Sequence, residues 1–245
     1  MNSTDFHLRQ LEMRQAELTE TVRVLSNIVN GNGSSVFNAN SRGEGQNLSD
    51  WKNRLDLGNI IIAGQSFGGN SVFRYLAEPN PLLPAGAAAP YDPGKDSGPF
   101  ATTNVKVPLL IPDSEEWSAV PTDFYGQQHF DVVKSVALGA LNATGAGWFM
   151  TLLGTVHTSI TDVGLIAESF ANFFTNETQL LTLDAKAALL QFANVTVDFA
   201  SYIQNRSASN IRGILADGVT YPTFQLFPNA SVLQNPWEVH VAPNV

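Results

Sequence analysis

The chain has 245 residues, 44% of them hydrophobic and 14% charged, enough for one large domain, or a domain with an appendage, around a sizeable core. Its net charge of −9 and isoelectric point near 4.8 weigh against nucleic acid or an anionic membrane surface as a partner. The chain contains no cysteine, which excludes a disulfide framework, a thiolate nucleophile and any cysteine-ligated metal.

From Asp5 to Val29, apolar residues recur at Leu8, Leu11, Leu18, Val22, Leu25 and Val29, the three-and-four spacing of a helix with one buried face. Asn30 to Asn47, rich in Gly, Asn and Ser, reads as a loop. Ser49 caps a short helix through Leu55, and Gly58 resets the backbone. The apolar run Ile60 to Ala63 is then a buried strand. It leads into Gly64-Gln65-Ser66-Phe67-Gly68, after which Asn70 to Ala77 continues as a helix.

Pro79, Pro81 and Pro84 bring the chain round to a small-residue strand, Ala85 to Ala89, which ends in Pro90-Tyr91-Asp92-Pro93-Gly94. Val105 to Ile111 is the next strand, ending in Pro112-Asp113-Ser114-Glu115-Glu116-Trp117. Pro121 to Val136 reads as helix. The uncharged stretch Ser135 to Val156 holds Asn142 and four glycines, too polar to span a membrane, and reads as a loop plus a buried strand. Trp148 to Leu153 is expected to be the last strand. Thr161 to Phe174 and Leu181 to Ile203 read as helices, and Asn210 onward as irregular. The alternation predicts an α/β fold, a partial parallel sheet flanked by helices. Residues 1–175 would form the hydrolase-like part, and 176–245 a helical and irregular extension packed on it.

Strand, sharp serine-bearing turn and helix make up the nucleophile-elbow pattern. Gly64 and Gly68 are expected where a side chain would strike the neighbouring strand or helix, with Ser66 held in strained geometry so that its hydroxyl projects. A serine hydroxyl needs a base to take its proton and an acid to fix that base. The α/β-hydrolase order is Ser, acid, His, each at the carboxyl end of a strand. His157 suits this, lying after the elbow and directly past a strand. His129 reads as surface or core, while His7 and His240 sit near the ends, and no pair of histidines has metal-ligand spacing. No metal or cofactor is expected. Several carboxylates compete for the acid: Asp92, Glu116 or Glu115, and Asp113. The backbone N–H of Phe67, at the start of the elbow helix, would be one oxyanion donor.

Four stretches carry a resemblance to the platelet-activating-factor acetylhydrolase family of α/β-hydrolases. Leu8-Arg9-Gln10 with its helix looks like the family's helix before the elbow. Ile60 to Gly69 is similar to the elbow itself, in which the family usually has His where Gln65 stands. Val107 to Glu115 resembles a later strand with its Asn-Ser-Glu end. Val156 to Asp162 looks like the histidine motif, in which an aspartate follows five residues on. The likeness spans roughly residues 5–175. It implies Ser66 as nucleophile, His157 as base and Phe67 as oxyanion donor. The family's acid follows the Ala85–Ala89 strand, where the aligned position is Pro90 and Asp92 lies two residues on. The resemblance further implies an N-terminally truncated member that cleaves short or oxidised acyl esters of phospholipids, with possible peripheral contact to lipid surfaces. Dienelactone-type and cutinase-type esterases share the elbow. A catalytically inactive binding glycoprotein is the reading from another class.

Eight Asn-x-Ser/Thr sequons, at Asn2, Asn32, Asn47, Asn142, Asn176, Asn194, Asn205 and Asn229, exceed the roughly three that composition gives by chance. They predict a secreted glycoprotein, although Met1 to Gln10 has no apolar signal-peptide core.

Overall fold

The computed structural model describes residues 3–77, 85–94, 100, 104–119, 128–166, 183–224 and 235–244. Five strands form one sheet in the order β1 (Ile61–Gln65), β2 (Ala87–Tyr91), β3 (Leu109–Ser114), β4 (Gly147–Leu152) and β5 (Trp237–Val241). The first four are parallel and β5 runs antiparallel to β4. Parallel strands need both faces covered, and their residues therefore read as unbroken apolar runs. On one face Ile62, Ala88, Leu109, Ile111 and Phe149 meet Val72 and Phe73 of the elbow helix and Val133, Val136 and Ala137. On the other, Ala87, Ala89, Leu110, Trp148 and Met150 pack on Phe192, Val195 and Phe199.

The helices supplying these contacts follow the periodicity. Helix α1 spans Ser3–Asn27 and α2 Gly33–Ala39; α3, Phe67–Ala77, is the elbow helix, and α4 spans Glu115–Ala119. Next come α5, His129–Thr144, a single turn α6, Val163–Ile166, and α7, Ala185–Asn205. Helix α5 is stopped by Gly145 at φ +75°, a left-handed cap. Asp184 caps α7 by accepting the Ala187 amide at 3.0 Å. Among the described residues no helix is long and apolar enough to cross a membrane.

The structure departs from the expectations in several places. Part of the segment read as a loop is α2, reached through a kink at Gly31 (φ +94°). It packs so closely that a Cβ on Gly33 would lie 2.0 Å from the Leu48 carbonyl oxygen. The strand read at Val105–Ile111 is shifted to Leu109–Ser114. Pro108 has no N–H to give a ladder, and the polar end of the strand is buried instead of solvated. Helix α5 continues to Thr144, eight residues past Val136, and β4 comes close to it at Gly147, where a Cβ would lie 2.6 Å from the Ala137 carbonyl oxygen. Last, β4 is not the final strand: Trp237–Val241 lies in the stretch read as irregular and adds an antiparallel edge to the otherwise parallel sheet. Pro236 and the polar side chains of Glu238 and His240 broke the apolar run there. Pairing with β4 nonetheless buries the whole strand.

The prolines at 79, 81 and 84, the start of the Pro121 helix and of the Leu181 helix, most of the Thr161–Phe174 helix, and the sequons at Asn2, Asn176 and Asn229 lie outside the described residues.

Candidate active site

Two strained turns sit back to back at the carboxyl end of the sheet. Strand β1 ends at Gln65, α3 begins at Phe67, and Ser66 between them has φ +57°, a left-handed conformation that costs a non-glycine residue about 1–3 kcal/mol. Strand β2 ends at Tyr91, and Asp92 has φ +41°. Each turn holds the other. Ser66 donates its amide to the Tyr91 carbonyl at 3.0 Å, and Gly94 donates to the Ser66 carbonyl at 2.8 Å. Asn70 Nδ2 donates to the Gly94 carbonyl at 3.2 Å.

The glycines of the elbow act differently from the expectation. A Cβ on Gly64 would lie 2.4 Å from the Gly68 carbonyl oxygen, and one on Gly69 2.8 Å from Pro93 Cα, whereas one on Gly68 would meet nothing within 4 Å. Crowding is therefore relieved at Gly64 and Gly69. Gly68 is an open helical position.

Asp92 is fully buried and accepts three hydrogen bonds. The Ser114 amide reaches Oδ1 at 2.6 Å, while Ser114 Oγ and His157 Nδ1 reach Oδ2 at 2.7 and 2.9 Å. Burial pushes this carboxyl above the usual aspartate range, and the bonds from His157 and Ser114 oppose that push.

His157 begins a 3₁₀ turn, His157–Ile160, just past β4. Its main chain is gripped at both ends: its amide donates to Glu116 Oε2 at 2.7 Å, and its carbonyl accepts from Gln65 Nε2 at 3.0 Å. Its ring lies flat on the Trp117 indole, centroids 3.7 Å apart and planes 10° from parallel. The residue before Ser66 is thus bonded to the candidate base. Among the described residues no hydrogen bond joins Ser66 Oγ to the imidazole itself. Such contacts are commonly loose without substrate and tighten when it binds.

The other carboxylates face elsewhere. Glu116 holds the His157 main chain, not its ring. Glu115 accepts the Gly154 amide, and burial raises its carboxyl while that bond opposes the rise. Asp113, on β3, is fully buried with neither carboxylate oxygen hydrogen-bonded. Burial first, and the Asp92 charge second, push it well above the aspartate range. A carboxyl whose folded pKa is raised binds more protons folded than unfolded. Its contribution is least unfavourable at acid pH and worsens as pH rises past the ordinary carboxylate range toward the folded value. Asp113→Asn is therefore expected to stabilise the protein at neutral pH. The gain should grow as pH rises above the ordinary aspartate range, by up to about 1.4 kcal/mol per unit until the raised folded value is passed. Urea melts across that range check this, and a difference that does not vary with pH would refute it.

Sequence reasoning missed Ser114, Trp117 and His129. Ser114 and Trp117 stand in the Pro112–Trp117 run, at the end of β3 and in α4, among the carboxylates that compete for the acid. His129 is buried, with Nε2 2.8 Å from the Pro93 carbonyl, and so braces the turn that carries Asp92. Its partner lies 36 residues away, which no local pattern shows. Phe67, as the first residue of α3, has an amide without an intrahelical acceptor. Among the described residues no group of three or more His, Asp or Glu side chains is arranged to hold a metal ion.

A mainly parallel sheet covered by helices, with a serine at a strained strand-to-helix turn and a hydrogen-bonded Asp–His pair beside it, defines an α/β-hydrolase. The chain belongs to the family described as platelet-activating factor acetylhydrolase, isoform II, whose model matches residues 1–201. Membership places it among hydrolases that act on lipid or other esters. A comparison with curated proteins finds no match.

Proposed function

We propose that the protein is a serine esterase in which Ser66 is the nucleophile, His157 its general base, and Asp92 the acid that orients the imidazole. The observation that carries this reading is the Asp92–His157 contact at 2.9 Å, placed beside the elbow by the Gln65–His157 bond. Ser66 Oγ attacks the ester carbonyl as His157 Nε2 takes its proton, and the Phe67 amide at the head of α3 donates to the oxyanion. The alkoxide leaves with that proton, and water then hydrolyses the acyl-Ser66 by the same route. The substrates proposed are phospholipids with short or oxidised sn-2 acyl chains, in keeping with the family.

Exposed apolar side chains near the site favour contact with a lipid surface. Phe6 is next to His7, whose ring meets Phe67 edge-on at 6.2 Å, and Leu165 and Ile166 on α6 follow His157 closely. A secreted glycoprotein is the proposed setting, since the five described sequon asparagines, Asn32, Asn47, Asn142, Asn194 and Asn205, are all exposed.

A panel of phospholipids differing only in sn-2 chain length, run beside a simple aryl acetate, tests the activity and its range. Hydrolysis that falls with chain length supports the proposal. Turnover of the aryl acetate alone would remove the phospholipid assignment, and turnover of neither would remove the esterase.

A further inference from the structure

We propose that Trp117 is a positioning residue for the reaction just described, on which this inference rests: its indole fixes the plane of the His157 ring and stabilises the imidazolium that forms when Ser66 loses its proton. The stack, 3.7 Å between centroids and 10° from parallel, covers one entire face of the imidazole. A planar ring held this way cannot swing out of line with Asp92 Oδ2 unless the indole moves.

The indole is not free to move. Trp117 is 7% exposed, its Nε1 donates to the Pro93 carbonyl at 2.9 Å, and its amide donates to Ser114 Oγ at 3.3 Å. Both anchors belong to the acid's own surroundings: Pro93 follows Asp92, and Ser114 Oγ donates to Asp92 Oδ2. Aspartate, indole and imidazole are therefore one braced unit.

The electrostatics act in the same direction. In the attack step the Ser66 Oγ–H bond breaks as the Oγ–C bond forms. The proton passes to His157 Nε2, and the carbonyl π pair moves to the oxygen. The imidazole gains a full positive charge while its face lies against an aromatic ring, and such faces attract cations. Among the described residues the charged groups around the ring are Asp92 at Nδ1 and, through the main chain, Glu116. Glu115 is engaged with Gly154, Asp113 lies on β3, and His129 meets the indole edge-on at 6.2 Å. On its stacked face the imidazole meets the indole.

Trp117→Leu removes the aromatic face but keeps an apolar side chain. It is expected to lower kcat about tenfold with KM little changed, and to shift the acid limb of the kcat pH profile down by about half a unit. Trp117→Phe, which keeps a smaller aromatic face, should recover most of both. Equal losses in the Leu and Phe variants, or an acid limb that stays put, would overturn the role. NMR titration of the His157 ring protons in a Ser66→Ala background needs no turnover. There the Trp117→Leu midpoint is expected below that of the Trp117 protein, and an unmoved midpoint would overturn the inference. Absence of hydrolysis by the wild-type protein would instead count against the esterase reading.

Discussion

Asp92→Asn is expected to lower kcat by about 10⁴ while leaving the fold and KM largely intact. The reason lies in which atoms already face the carboxylate. The Ser114 main-chain N–H points at Oδ1 from 2.6 Å, and a backbone amide can only donate. An asparagine must therefore put its carbonyl oxygen there and its NH₂ group where Oδ2 was. That NH₂ faces His157 Nδ1, which lies 2.9 Å from Oδ2, and can be accommodated only if Nδ1 becomes an acceptor. The ring proton then resides on Nε2, the nitrogen that has to receive the proton of Ser66. The variant keeps its shape and loses its base. Steady-state kinetics on a soluble acyl ester, with circular dichroism to show folding, check this; activity within tenfold of wild type would contradict it.

Gly64→Ala should unfold the elbow, and Gly68→Ala should not. At position 64 the added methyl would sit 2.4 Å from the oxygen and 2.5 Å from the carbon of the Gly68 carbonyl. These are backbone atoms at the head of α3 and cannot swing aside as a flexible side chain would. To relieve the clash, β1 must separate from α3, which also pulls Ser66 away from the Asp92 turn to which it is bonded. The expected loss is about 3 kcal/mol or more, or ~6–12 °C in melting temperature for a chain of this size. Gly68 lies in the same motif, but its methyl would meet nothing within 4 Å. In a helix, alanine there should gain up to ~1 kcal/mol. Thermal melts of the two variants check the pair, and similar losses at both positions would mean that the crowding has been misplaced.

The legible parts of this protein were those governed by local rules. Ile60 to Gly69 announced a strand, a strained serine and a helix, because a turn that sharp admits few residue types. His157 could be picked out because it directly follows a strand. The carboxylate that meets the imidazole was not legible to the same degree. Asp92, Asp113, Glu115 and Glu116 all sit near strand ends, and only the three-dimensional approach of β2, β3 and β4 shows which of them faces the imidazole. Asp113 illustrates the difficulty well: it looked like a loop carboxylate, yet β3 carries it, buried, into the sheet. Strand β5 was hidden for a related reason. Glu238 and His240 would be unfavourable in an isolated buried strand. In the fold, His240 Nε2 lies 2.8 Å from Thr151 Oγ1 and its Nδ1 2.7 Å from the Tyr221 carbonyl, partners 89 and 19 residues distant in the chain. Burial also lowers the His240 pKa to about 4, so this imidazole is neutral at pH 7 and fits the interior it occupies.

The rate at which a fluorophosphonate modifies Ser66, followed by mass spectrometry in wild type and in His157→Gln, asks whether that serine is activated by that histidine. Rapid modification at Ser66 in wild type, falling by at least ~10³ when the imidazole is removed, is the expected result. Modification that proceeds equally fast without His157, or that lands on a residue other than Ser66, would contradict it.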